Sequence, residues 1–212
     1  WNSGSWEDYN RYTYTYDAAG HTLTFLYEYN GGSGLENSSR TTYTYDANGD
    51  NTLTLGESWL AGAWVNATRY TRNYDANHNQ TLNTSESWNA GAWENDARYA
   101  YTYNAAGYNL TTIYYDWNAG AWVEQNRYTY TYDANNRTLE YAGQIWNAGA
   151  WENDYRYTYT YDVNGNADVF MYQTWTAGTW QNVNKTDYDY NSYGNYDYII
   201  RYSWNAGAWD NS

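Results

Sequence analysis

Cysteine and proline are absent from the 212 residues of this chain. Without cysteine there is no disulfide, no thiolate metal centre and no thiol nucleophile. Without proline, one of the usual guards against edge-to-edge strand pairing is missing, and with a single lysine a second guard is nearly missing too. Ten basic residues face 24 acidic ones, for a net charge of −14. That sign excludes nucleic acid and anionic membrane surfaces as partners, since both call for a basic face. Leu, Ile, Val and Phe together number only 20. No apolar run approaches the roughly 18 residues of a membrane span, and no signal peptide opens the sequence. So few aliphatics with so lopsided a charge ordinarily mean disorder.

Aromatics reverse that expectation. The chain carries 31 Tyr and 14 Trp, each able to bury roughly 150–250 Å². Every Trp belongs to a W-x-x-G-x-W motif: Trp59 and Trp64, Trp88 and Trp93, Trp117 and Trp122, Trp146 and Trp151, with further copies starting at Trp1, Trp175 and Trp204. A degenerate copy runs from Asn30 to Leu35, so the starts are 29 residues apart throughout. Tyr16, Tyr45, Tyr74, Tyr103, Tyr132, Tyr161 and Tyr190 keep the same step, as do Arg11, Arg40, Arg69, Arg98, Arg127 and Arg156, with Lys185 in the seventh place. The chain reads as one repeat array, with units 1–29, 30–58, 59–87, 88–116, 117–145, 146–174 and 175–203 and a partial unit 204–212.

Inside a unit the period is two. In Arg127-Tyr-Thr-Tyr-Thr-Tyr132 a Tyr face alternates with a Thr face that also holds Arg, and both residue types favour strands. Asp133-Ala-Asn-Asn136 follows, with Asp46-Ala-Asn-Gly49 and Asp162-Val-Asn-Gly165 as sisters. Asp first and Gly, Asn or His fourth suit a type I turn closed by a left-handed residue. A looser second strand leads into the Trp motif, whose two Trp flank a four-residue loop where they can pair across strands. An odd period requires one extra residue per unit to keep each stripe on its face, and the Gly20-type position is where such a bulge fits. The fold expected is all-β: about 14 strands in an antiparallel meander coiled into a solenoid or spiral. A seven-bladed propeller is the alternative, although four-stranded blades usually need about 40 residues. The aliphatic core is too thin for such a sheet to live alone, so it is expected to coil on itself or pack against other copies.

The Tyr-Asp-Ala-Asn-Gly signature resembles the YD (Rhs-type) repeats of secreted bacterial proteins. The fuller unit, from W-x-x-G-x-W through Arg-Tyr-Thr-Tyr-Thr-Tyr-Asp, is similar to tandem repeats of secreted surface proteins from Gram-negative bacteria. The resemblance implies an extracellular antiparallel β-repeat protein. YD shells use shorter units and enclose a toxin or end in a protease-like core; neither is present here, so that function does not carry over.

Chemistry is sparse. His21 and His78 sit at turns of different units, and the carboxylates recur at equivalent positions: Asp17, Asp46, Asp75, Asp133, Asp162, and again Glu28, Glu57, Glu86. An acid–base pair needs one distinct environment, whereas these groups are copied along the array, so no enzyme is expected. Asp46, Asn48 and Asp50 have the spacing that starts a calcium loop but lack the later bidentate Glu, which favours a plain turn. Seven Asn-x-Ser/Thr sequons, at Asn37, Asn66, Asn79, Asn83, Asn109, Asn136 and Asn184, offer glycan acceptors. Exposed aromatics beside Asn and Asp suit sugar stacking, and the Thr rows suit ice, but regular recurrence points first to packing. Trp1 opens one motif and Trp204–Ser212 opens another, so both ends are expected to expose unfinished sheet. The reading is a structural protomer of an extracellular or cell-surface fibre or stalk, with itself as partner and no cofactor beyond a counter-cation such as calcium. A carbohydrate-binding adhesin using Trp and Tyr platforms is the competing class. The chain starts inside a motif, which fits a cleaved leader or an excerpt of a longer array.

Overall fold

The structure is a computed structural model and describes residues 9–32 and 34–211; the first tryptophan pair, Trp1 and Trp6, lies outside the described residues. Fifteen strands account for nearly all of it: β1 Asn10–Tyr16, β2 Thr22–Asn30, β3 Leu35–Tyr45, β4 Asn51–Leu60, β5 Ala63–Tyr74, β6 Gln80–Asn89, β7 Ala92–Tyr103 and β8 Asn109–Asn118. They continue as β9 Ala121–Tyr132, β10 Thr138–Asn147, β11 Ala150–Tyr161, β12 Ala167–Thr176, β13 Thr179–Tyr190, β14 Tyr196–Asn205 and β15 Ala208–Asn211. They form one antiparallel meander in which sheet order is sequence order, and no helix occurs among the described residues. This is the all-β meander expected, with one strand more than anticipated. The chain divides into two compact units, Trp1–Tyr99 with Asp116–Trp122, and Ala100–Tyr115 with Val123–Ser212.

Two turn types alternate. At the Asp turns, Gly20 donates its N–H to the Asp17 carbonyl (3.2 Å) and Asp17 donates to the His21 carbonyl (3.0 Å), leaving a three-residue loop. Its last residue is left-handed in every copy, including the two without glycine, His78 (φ 65°) and Asn136 (φ 61°). The bulge expected at this position is therefore present. At the Trp turns, Leu60 pairs with Ala63, so the loop is two residues, Ala61 and Gly62, and not the four expected. Both have positive φ, 48° and 83°, the geometry of a type I′ hairpin. Two further bulges occupy each repeat. Opposite Gly56 and Glu57, the partners step from Thr68 to Asn66 and skip Ala67. Opposite Asn73 and Tyr74, they step from Leu82 to Gln80 and skip Thr81. One bulge adds a residue on each side of a repeat, so the pair cancels. The odd three-residue loop then keeps each residue type on its face after 29 residues.

Register also sorts the faces. In β4, Leu55, Glu57 and Trp59 share one side, and their partners Arg69, Asn66 and Trp64 share it with them. Thr54 and its partner Tyr70 lie on the other side. The Trp pairs, the regularly spaced Arg and the Thr rows thus occupy one face and Tyr the opposite one, with Arg72 and, in β14, Tyr198 and Tyr202 among the exceptions. Neither face is covered by a second layer within its unit: among the described residues Ala142 is the one apolar side chain that is buried, and no large side chain is fully buried.

Where neighbours crowd the Tyr face, glycine makes the room. A Cβ on Gly143 would lie 2.6 Å from the Tyr155 ring. Gly143→Ala is therefore expected to push that ring off Tyr141, which it meets edge-on at 5.9 Å, and to lower stability by about 1–3 kcal/mol. Urea denaturation of the variant checks this, with Gly31→Ala as the control, since its φ is not left-handed and the nearest atom to a Cβ there, on the Tyr29 ring, lies 3.5 Å away.

Candidate functional site

Three side-chain assemblies recur, and they account for the residues singled out in the sequence. The first is the Trp hairpin. The two-residue loop places the paired Trp side by side, and the rings meet edge to face: Trp59 and Trp64 at 4.9 Å, Trp88 and Trp93 at 5.0 Å, Trp117 and Trp122 at 5.0 Å, Trp146 and Trp151 at 5.0 Å. Such pairs contribute about 0.5–1.5 kcal/mol beyond burial. A guanidinium then lies over the second Trp of the pair: Arg40 over Trp64 (4.8 Å), Arg69 over Trp93 (4.6 Å), Arg98 over Trp122 (4.2 Å), Arg127 over Trp151 (4.8 Å) and Arg156 over Trp180 (4.5 Å).

All of these arginines but Arg98, which donates back to Thr84 at 3.4 Å, are gripped from the intervening strand as well. Arg40 donates both Nε and Nη2 to Glu57, at 2.7 and 2.8 Å. Arg11 forks onto Glu28 and Arg69 onto Glu86 in the same way. In the second unit a neutral acceptor replaces the acid: Arg127 donates to Gln144 (2.7 Å) and Arg156 to Gln173 (2.6 Å). Lys185, in the seventh place, lies over Tyr202 at 4.4 Å. One strand gives the cation, the next the acceptor and the third the indole. Hydrogen bonds from Arg11 hold Glu28 below the usual carboxylate range, and those to Glu57 and Glu86 raise Arg40 and Arg69 further still. Cations held in such clamps are spent on packing; they are not aimed at an open pocket.

The second assembly is the Asp turn. One carboxylate oxygen of Asp46 accepts the backbone N–H groups of Asn48 (2.9 Å) and Asp50 (3.0 Å). Asp17, Asp75, Asp133 and Asp162 repeat this arrangement on the residues two and four places on. Backbone hydrogen bonds from Asp50 and Arg137 depress Asp46 and Asp133; the His21 and Asn79 side chains do so for Asp17 and Asp75. The candidate cation ligands are therefore engaged within the fold. Asp46 closes its own turn, Asn48 donates weakly to it at 3.5 Å, and Asp50 accepts from His78 Nδ1 at 2.8 Å. Among the described residues no three His, Asp or Glu side chains converge as a metal site would require.

The His78–Asp50 contact joins successive Asp turns, and the Asp50 hydrogen bond raises the His78 pKa, with Asp46 and Asp75 adding to it. A group raised in the folded state stabilises fully below its unfolded value, near 6.5, and that gain is lost as pH rises through the folded value. Wild type is thus expected to melt above Asp50→Asn in mildly acidic buffer, with the gap closing towards alkaline pH. A gap independent of pH would show that the pair carries no charge.

The third assembly explains the regular Tyr position. Tyr45, Tyr74, Tyr132 and Tyr161 each donate a phenolic hydrogen bond to a backbone carbonyl 23 residues earlier: Thr22 (3.0 Å), Asn51 (2.9 Å), Asn109 (2.7 Å) and Thr138 (2.8 Å). Each lies at the mouth of an Asp turn and ties its hairpin to the preceding one, and burial pushes all four hydroxyls above the ordinary phenol pKa. Tyr16 is exposed, while Tyr190 meets Tyr196 at 5.0 Å. Sequence reading found this position by its spacing but not the bond, because a carbonyl acceptor leaves no trace in residue identity. His21 stacks on Tyr45 at 4.8 Å and Arg137 over Tyr161 at 4.5 Å, so the residue after the turn caps the same ring.

No family model and no curated protein matches the chain. Solved structures resemble it at a distance. A protein of unknown function from Bacteroides fragilis is 19% identical over 55% of this chain and 88% of its own, with a TM-score of 0.44. A DUF3836 family protein from Bacteroides vulgatus is 26% identical over 40% of this chain and 89% of its own, TM-score 0.34. The structure of TcdB2-TccC3 covers 99% of this chain with 13% of its own length at 11% identity, TM-score 0.36. The resemblance to YD repeats rests on the sequence motifs, and no ligand or activity passes to this chain from these structures.

Proposed function

We propose that this chain is a structural repeat protein, the protomer of an extracellular bacterial fibre or surface stalk built by packing of its sheet. The observation that carries the reading is burial. A single layer whose one buried apolar side chain among the described residues is Ala142 leaves its aromatic area to be covered by another layer. Coiling of the meander into a solenoid or spiral belongs to the same proposal. The distinctive groups support it as well, because Arg–Glu–Trp clamps, Asp turns and Tyr ties each bind one strand to the next. Nothing in them singles out one place for chemistry.

A carbohydrate-binding adhesin is the competing reading, and the Trp geometry weighs against it. In the five pairs from Trp59–Trp64 to Trp175–Trp180 the second indole has its partner against it and a guanidinium over its ring, so the flat surface a sugar ring would need there is taken. Sedimentation velocity over a hundred-fold range of concentration tests the proposal alongside a glycan array. Concentration-dependent growth with no glycan retained is expected. A monomer at every concentration, retained by a polysaccharide and released by Trp→Ala changes, would replace the fibre with the adhesin.

A further inference from the structure

We infer that the Tyr face of the second unit, from β9 to β13, is the surface on which a second copy of this chain packs, sheet against sheet. This rests on the fibre reading and names one of its contacts. Between the Asp turns and the bulges near the Trp turns, the face is a continuous aromatic field. Tyr130 meets Tyr141 at 4.9 Å, Tyr141 stacks on Tyr157 at 5.8 Å, Tyr157 on Tyr172 at 4.9 Å, and Tyr159 meets Phe170 at 5.4 Å.

Charge decides the occupant. Strand alternation places Arg127, Glu140, Arg156, Lys185, Asp187 and Asp189 in the opposite register, paired away from the Tyr rows. Within those bounds the aromatic field is therefore uncharged in a chain of net charge −14; Glu152, paired with Ile145, shares the face only beyond the bulge. Two copies repel wherever that charge is presented; the neutral face is where an identical copy can approach, and a two-fold axis sets the same face of both copies in contact. The first unit differs. There Arg72 stands in the Tyr register between Tyr70 and Tyr74, bonded to Asn51 and to Thr54 (2.9 Å), and interrupts the field.

Area agrees. Five strands about 4.8 Å apart, with rows about 20 Å long, present roughly 500 Å² per copy and about 1,000 Å² for a pair, the size at which specific association begins. Packed sheets sit about 10 Å apart, which the Tyr rings of two faces fill when interdigitated.

Tyrosine nitration of the wild-type protein by tetranitromethane reads the contact without a variant. Burial already raises Tyr157 and Tyr159 above the ordinary phenol pKa, so the comparison is made across concentration. At high concentration these two are expected to be several-fold less modified than on dilution, while Tyr12 and Tyr14, 55% and 49% exposed, change little. Tyr159→Lys is expected to weaken association at least ten-fold, and Thr131→Lys, exposed on the opposite face, to leave it intact. Filaments that persist while Tyr157 and Tyr159 nitrate equally at all concentrations would overturn this contact and leave the fibre standing. A wild-type chain that never associates would overturn both.

Discussion

Replacing the six left-handed alanines of the Trp turns, Ala61, Ala90, Ala119, Ala148, Ala177 and Ala206, by asparagine is expected to stabilise the protein by about 3–6 kcal/mol in all. Their φ values lie between 47° and 52°, in the region where a Cβ costs roughly 1–2 kcal/mol and where Asn, bonding its own backbone, is more at ease. Asn-Gly is moreover the preferred pair for a type I′ turn. Granting about half of the penalty back at each site gives about 0.5–1 kcal/mol per turn, and turns two strands, about 10 Å, apart add almost independently. Urea denaturation of Ala148→Asn and then of the six-fold variant, at one low protein concentration because association itself stabilises, tests this. A six-fold variant no more stable than wild type would mean that the strain is relieved elsewhere in the hairpin.

The second large effect belongs to the indole that carries two partners. Trp151 meets Trp146 edge to face at 5.0 Å and supports the Arg127 guanidinium at 4.8 Å. Truncating a fully buried Trp costs about 3–5 kcal/mol; at half burial Trp151→Ala is expected to cost about 2–4 kcal/mol. Trp146→Ala, which removes the pair but leaves the cation's seat, is expected to cost distinctly less. Equal losses would reduce the Arg127 contact to a coincidence of packing. Arg127→Met separates the terms, since it keeps the stem and loses the charge and its bond to Gln144.

Much of this architecture was legible because each local signal agreed with the next. The Tyr-Thr alternation of Tyr128–Tyr132 announced a strand, and Asp133 with Asn136 announced a turn closed by a left-handed residue, both of which the backbone adopts. The Trp turn was read two residues too long, since Ala-Gly carries no conventional type I′ signature and a left-handed alanine is not expected from composition. The opposition of Trp and Tyr faces was hidden for a different reason. Trp64 and Tyr70 are six apart, an even spacing that would set them on one face of a regular strand. The bulge at Ala67 reverses that parity, and its small residue gives no warning. The clamps were half visible: Arg and Glu recurred at fixed steps, but only the register shows that Glu57 stands between Arg40 and Trp64. Where Gln144 and Gln173 replace the acid, the acceptor survives without its charge, so at these two sites the hydrogen bond outlasts the ion pair.

Electron microscopy of the purified wild-type protein over increasing concentration tests the fibre reading most directly. Regular filaments are expected, with strands about 4.8 Å apart and layers about 10 Å apart in their diffraction. Monodisperse single particles at every concentration, with the Tyr faces open to solvent, would contradict it.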